Sequence, residues 1–214
     1  TKYEKIPRMT FPNDKYPDPQ KYASDYFKKL SEATSGIDKD CIAEAVSILE
    51  DTFEKNRRLF VCGNGGSASI SNHLACDHGK LLATDTDLIP QVYSLSTNIE
   101  VITAIANDIC FEDIFVHQLK FLASKKDTLV TISSSGDSEN IVRAAEWAKS
   151  NNLSVISLTG FDGGRSANLA SVNLHVSADN YGLIEDAHQS LMHLMGQYLR
   201  QKRMSKETIK LRKF

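Results

Sequence analysis

Two histidine–carboxylate pairs carry side chains able to bind a metal or move protons. His73 and Asp77 stand four residues apart, so on a helix both project from one face. Glu185 and His193 stand eight apart in Glu185-Asp-Ala-His-Gln-Ser-Leu-Met-His193, about 80° around a helix, and share a broad face. His188 and Gln189 follow Glu185 at i+3 and i+4, and Leu183, Ile184, Ala187, Leu191, Met192 and Met195 supply an apolar surround. His73, Asp77, Glu185 and His193 together would offer two nitrogens and two carboxylates, a set suited to Zn²⁺ or a similar divalent ion. A single buried histidine on such a helix is usually a satisfied core histidine. A histidine with a carboxylate on each of two helices is less easily dismissed, although spacing alone does not show that the helices meet.

The first pair is led by a glycine-rich turn, Phe60-Val-Cys-Gly-Asn-Gly-Gly-Ser67. Its glycines permit a tight turn and close approach of backbone N–H groups, and the helix start behind them is a natural place for an anion. A plain strand–turn–helix with no ligand fits the same residues. Ser133-Ser-Ser-Gly-Asp-Ser138 places several hydroxyls, a glycine and a helix start together. Such a nest of donors without a fixed positive charge suits a phosphate monoester, and a helix-capping cluster is the alternative. No GxxxxGK[ST] is present, and Ala68 stands where GxGxxG would need its last glycine, which disfavours a dinucleotide. Asp108, in Ala106-Asn-Asp108, could accept bonds from sugar hydroxyls or simply form an Asx turn.

The elements that must position these residues alternate. Short runs rich in Val, Ile and Leu at 59–62, 92–95, 129–133, 155–158 and 172–176 read as strands buried on both faces. Helices are expected at about 67–82, 98–107, 112–124, 138–150, 164–170 and 182–202. The alternation predicts a parallel sheet in an α/β sandwich, with ligands at the C-terminal ends of the strands. Ahead of it, a short helix from Pro19 to about Thr34 is followed by a longer one from Ile37, whose Ile37, Cys41, Ala45, Ile48, Leu49 and Phe53 fall at helical spacing. Residues 1–19 hold four of the five prolines and read as an irregular arm. The basic tail from Gln201 to Phe214 is expected to fray or to lie on a neighbour.

The 214 residues suffice for one sizeable domain, and 41 % hydrophobic with 24 % charged residues is ordinary for a globular chain. A net charge of −2 implies no nucleic-acid or acidic-membrane partner. No apolar run approaches the roughly 20 residues of a membrane span, and a signal-peptide core is lacking. Cys41, Cys62, Cys76 and Cys110 form no CxxC pair. They are expected to be free thiols in a reducing cytoplasm.

Taken together, Cys62-Gly-Asn-Gly-Gly-Ser67, Ala104-Ile-Ala-Asn-Asp108 with Phe111 and Phe115, Ile132-Ser-Ser-Ser-Gly-Asp-Ser138, Leu158-Thr-Gly160 with Gly163-Gly164, and the Glu185–His193 helix resemble a sugar isomerase (SIS) domain, over residues of about 35 to 200. The chain is most similar to the phosphoheptose isomerases. The resemblance implies a three-layer α/β sandwich with a five-stranded parallel sheet flanked by helices. It implies an arm and short helix over 1–34, an SIS domain over 35–202 and a basic tail over 203–214. It further implies a homo-oligomer, a tetramer in that family, with active sites at subunit interfaces.

The implied reaction converts sedoheptulose 7-phosphate to D-glycero-D-manno-heptose 7-phosphate through a cis-enediol. Carried over position by position, Ser133, Ser134, Ser135 and Ser138 bind the phosphate, assisted by Asn64, Gly65 and Ser67. His73, Asp77, Glu185 and His193 hold Zn²⁺, Asp77 and His193 form the acid–base pair, and Asp108 and Glu185 approach the sugar. Asp77 stands where the family has Glu, Glu185 where it has Gln, and Gly182 where it often has an acid. These departures leave the identity of the sugar open. The alternatives are an isomerase of another sugar phosphate, or a non-catalytic sugar-phosphate-binding or replication-initiator-associated SIS protein.

Overall fold

A computed structural model describes residues 10–214. Residues 1–9 of the expected arm, Pro7 included, lie outside the described residues. Five strands, β1 (Arg58–Gly63), β2 (Gln91–Ser94), β3 (Thr128–Ser133), β4 (Ser154–Thr159) and β5 (Val172–His175), form one parallel sheet in the order β2-β1-β3-β4-β5. Each lies where a short apolar run predicted it. The helices are α1 (Pro19–Ser35), α2 (Lys39–Glu54), α3 (Gly65–Cys76), α4 (Ile99–Asp108), α5 (Val116–Leu122), α6 (Glu139–Ser150), α7 (Gly164–Leu169), α8 (Tyr181–Arg203) and α9 (Lys206–Leu211).

Side-chain alternation along the strands builds two cores. Leu59, Val61, Val130, Ile132, Ile156, Leu158 and Leu174 point to one face, under α1, α2, α3 and α8. Phe60, Cys62, Leu129 and Val155 point to the other, under α4, α5 and α6. Successive strand residues face opposite sides, so strands covered on both faces are apolar throughout. The result is the three-layer α/β sandwich expected.

The strand order places the chemistry. The chain runs from β1 outward to β2, then returns across β1 to β3, so connections diverge between β1 and β3. That gap is the topological switch point, where ligands bind in open α/β sheets. Register pairs Gly63 with Ile132, so the glycine-rich and serine-rich turns leave the sheet side by side.

Three local expectations are corrected. The helix expected over 67–82 is α-helical only to Cys76 and continues as a π turn over Asp77–Leu81. The helix expected over 112–124 is a 3₁₀ turn, Phe111–Asp113, followed by α5. The tail does not fray from Gln201: α8 runs to Arg203 and α9 follows. Asp85 holds this end down, receiving Arg200 at 3.0 Å and Arg212 at 2.7 Å, while Phe214 lies against the Arg200 guanidinium. The described part of the arm is also docked. Phe11 is buried against Tyr16, Tyr22 and Tyr26, and its carbonyl accepts from Asn180. All four cysteines are free, with Cys62 buried and Cys76 exposed. Among the described residues, no helix is long and apolar enough to cross a membrane.

Candidate functional site

The helices α3 and α8 meet, and they bring the two halves of the His/carboxylate constellation together. His73 Nε2 and His193 Nε2 each stand 3.4 Å from Asp77 Oδ2. The two imidazoles are edge-to-face with centroids 4.9 Å apart. One ligand atom from each of the three residues falls within 4.8 Å of the others. Two imidazoles and a carboxylate so disposed fit a borderline divalent cation such as Zn²⁺. The side chains are 46 % (His73), 38 % (His193) and 27 % (Asp77) exposed, so the cluster is open to a ligand.

Glu185, expected as the fourth donor, does not join this group. It lies eight residues before His193, about 12 Å along the helix axis. Gln189, one turn from each, reaches instead: its Nε2 donates to His73 Nδ1 at 2.7 Å and lies 3.4 Å from His193 Nε2. The amide can flip to present oxygen to a cation. Its position at i−4 from His193 was the signal in the sequence.

The Glu185 carboxylate sits on the start of α3. A Cβ on Gly66 would stand 2.7 Å from Glu185 Cδ and Oε1. The anion at this helix start is therefore the protein's own. Burial, with Asp186 beside it, raises the Glu185 pKa above the usual carboxylate value. Next along α8, Tyr26 on α1 donates to Asp186 Oδ2 at 2.7 Å, and Gly182 leaves room for the Tyr26 hydroxyl.

The glycine and serine turns are joined. Asn64, the N-cap of α3, makes no capping bond with its side chain. Instead, Asn64 and the buried Asn140 exchange two amide hydrogen bonds of 2.9 Å each. Gly65 adopts φ +52°, and Ser67 is buried in the first turn of α3. Ser133 Oγ accepts from Gly136 N at 3.1 Å, and Ser135 Oγ accepts from Asp137 N at 3.3 Å. Ser138 caps α6 without a side-chain bond, and Ser134 Oγ is buried with no hydrogen-bond partner among the described residues. A buried hydroxyl left in this state is costly unless a ligand satisfies it.

A second turn clasps this loop. Gly136 takes φ +64°, and a Cβ there would overlap the carbonyl of Gly163. Ser166 N donates to Gly136 O, and Gly160 N donates to Ser134 O, both at 2.9 Å. Arg165 binds Asp137 Oδ1 at 2.6 Å and Glu139 at 2.9 Å; it holds the Asp137 carboxyl below the usual range, as Arg143 and then Arg165 do that of Glu139. It thereby offsets negative charge that would repel a phosphate. Sequence reasoning assigned no role to Asn140 or Arg165, although they stand beside Ser138 and Gly163-Gly164, because the partner of each side chain lies on another loop.

Asp108 is not brought to this site within the chain. It ends α4 on the opposite layer, exposed, and accepts from Asn107 at 2.8 Å. Along α8, a shallow groove of about 560 Å³ adjoins His193, lined also by Ser190, Leu194, Gln197, Tyr198 and Phe214.

Comparison with known proteins bears on what this arrangement does. Residues 22–160 match the model of the SIS domain. The chain is 34 % identical to a phosphoheptose isomerase of Helicobacter pylori over 166 residues, 78 % of this chain and 85 % of that one. It is also 34 % identical to one of Nitratidesulfovibrio vulgaris over 167 residues, 78 % and 80 % of the two chains. Among solved structures, phosphoheptose isomerase GmhA from Neisseria gonorrhoeae superposes with a TM-score of 0.79 at 28 % identity, covering 86 % of this chain and all of that one. A phosphoheptose isomerase from Francisella tularensis gives 0.76 at 30 % identity, covering 86 % and 96 %.

Proposed function

This chain belongs to the SIS-domain family, among its phosphoheptose isomerases, and on that premise we propose that it interconverts sedoheptulose 7-phosphate and D-glycero-D-manno-heptose 7-phosphate. The observation that carries the reading is the convergence of His73, Asp77 and His193 two turns along α3, together with a serine loop at the sheet end that holds a buried, unsatisfied hydroxyl. At about 1.5 Å per residue, His73 lies roughly 10 Å along α3 from Gly66. A phosphorylated chain of several carbons bridges such a span.

The serine loop anchors the phosphate through Ser133, Ser134, Ser135 and Ser138, and the first turn of α6 adds backbone N–H groups. Anchoring there holds the far end of the sugar against α3 and α8, so remote binding orients the reacting carbons. Asp77 and His193 share the roles of base and acid. One removes the C1 proton, leaving a 1,2-enediol as the C2 carbonyl gains a proton on oxygen. The proton then returns to C2 while the C1 hydroxyl gives its proton back to the group that had protonated O2, leaving the aldehyde carbonyl at C1. Nothing is gained or lost overall, as an isomerisation requires. Glu185, at the start of α3, is placed to hydrogen-bond a sugar hydroxyl. A divalent cation would be held by His73, Asp77 and His193, with Gln189 as the neighbouring donor, and would supply Lewis-acid polarisation of the carbonyl.

The half-open cluster and the apolar residues Leu194, Tyr198 and Phe214 along the adjoining groove support a homo-oligomer, a tetramer on the family pattern, that closes the site from a second copy. A cytoplasmic role in supplying heptose for a glycoconjugate follows from the same reading.

Proton exchange followed by NMR on sedoheptulose 7-phosphate in D₂O, with Zn²⁺ and then with a chelator, tests the proposal. Exchange with aldose formation that the chelator abolishes and His193→Ala lacks is expected. A folded, Zn²⁺-loaded protein that exchanges no proton on this substrate refutes it.

A further inference from the structure

The residue after Asp77 is a histidine that the reaction does not use. His78 is the second residue of the π turn, 0 % exposed, and its Nε2 lies 2.9 Å from the carbonyl oxygen of Met192. Because a carbonyl only accepts, Nε2 carries the proton, and Nδ1 is left buried with no hydrogen-bond partner among the described residues. A leucine would fill this apolar space without an orphaned nitrogen. The imidazole is therefore explained by its one bond.

That bond joins particular neighbours. His78 follows Asp77, and Met192 precedes His193. One hydrogen bond thus ties the backbone beside each member of the pair, whose side chains stand 3.4 Å apart. Two further features make room for it. The π turn begins at Asp77, and such turns re-aim side chains at functional sites. Gly196, one helical turn beyond Met192, lets the ring lie flat on the α8 backbone: a Cβ there would stand 3.0 Å from His78 Cδ2 and Nε2.

We propose that His78 is a positioning residue, whose hydrogen bond to the Met192 carbonyl sets the separation of Asp77 from His193. The inference rests on the reading of that pair as the reacting groups. Its bond is buried and directed, and it joins the backbone of α8 to the π turn itself, whereas the Gln189–His73 bond links the exposed side chains one turn earlier.

The test compares His78→Leu, which fills the space without a donor, with His78→Gln, whose amide N–H can reach the same carbonyl. Co²⁺ is the probe, followed by its visible absorption and by chelator competition, alongside kcat, KM and thermal melting. In His78→Leu, Co²⁺ affinity and kcat are expected to fall by about 10- to 100-fold with KM within about twofold, because the phosphate loop is untouched. Melting is expected to be unchanged or raised, and His78→Gln to recover most of both losses. Gly196→Ala, which pushes the ring off α8, serves as an independent variant with the same expected pattern. A His78→Leu enzyme with unaltered kcat and Co²⁺ spectrum overturns the proposal, as does a His78→Gln enzyme no better than His78→Leu. An active His193→Ala enzyme would instead remove the underlying assignment of the pair, so the two failures are distinguishable.

Discussion

Gly66→Ala separates the stability of α3 from the placement of Glu185. Gly66 lies in the first turn of α3 without a positive φ, so its backbone conformation suits alanine, which gains up to about 1 kcal/mol of helix propensity. Its Cβ would stand 2.7 Å from Glu185 Cδ, against the 3.4–4 Å of ordinary contact. The carboxylate must therefore retreat by about 1 Å, and a misplacement of that size can cost about 10²-fold in rate. Moving the end of a flexible side chain off its rotamer costs about 0.5–1.5 kcal/mol, close to the helix gain. The two effects on folding nearly cancel, so Tm is expected to stay within about 4 °C while kcat/KM drops about 100-fold. Coupled assay and melting of Gly66→Ala, Glu185→Ala and the double variant check this. With Glu185 already truncated, Gly66→Ala should add little further loss. Wild-type activity in Gly66→Ala, or fully additive losses in the double variant, would refute the reasoning.

Ser134→Ala removes a hydroxyl that nothing in the described chain satisfies. It should leave Tm unchanged or higher and raise KM more than Lys149→Ala does, and equal KM values would argue against the phosphate loop. Gly136→Ala places a side chain at φ +64° into the Gly163 carbonyl. The left-handed conformation and the backbone overlap together should cost about 3 kcal/mol or more, a fall of roughly 10 °C in Tm. A melting curve unchanged by that substitution would contradict the clasp. His188 is fully buried with its Nε2 on the Thr159 carbonyl, and burial lowers its pKa from 6.5 to about 4. The unfolded chain therefore takes up a proton below about pH 6.5 that the folded chain refuses until about pH 4, so stability falls as pH drops through that window. Denaturant titrations of metal-free His188→Gln should show a shallower fall there, and an identical slope would exclude His188 as a contributor.

Much was legible in the sequence because it depends on local order. The inner strands β1, β3 and β4 carry apolar residues at consecutive positions, as strands covered on both faces do, and the glycine, serine and Thr-Gly turns mark their ends; at the sheet edges, β5 alternates and β2 is only half-buried, against the expectation of burial on both faces. Spacing also put His73 with Asp77 and Glu185 with His193, since residues on one helix face follow from a period of 3.6.

Tertiary structure decided how these pieces engage. Whether α3 and α8 meet depends on both packing over the same face of the sheet, which no local pattern encodes. Their approach brings Gln189, rather than Glu185, to His73 and His193, because one helical turn matches the gap and two overshoot it. It sends Glu185 to the start of α3, and leaves Asp108 on the opposite layer. The seat of His78 against Gly196 and the anchoring of the basic tail by Asp85 share one cause. Each is set by a partner more than a hundred residues away, so the residue types are written in the chain but their meaning is fixed only when the distant surface arrives.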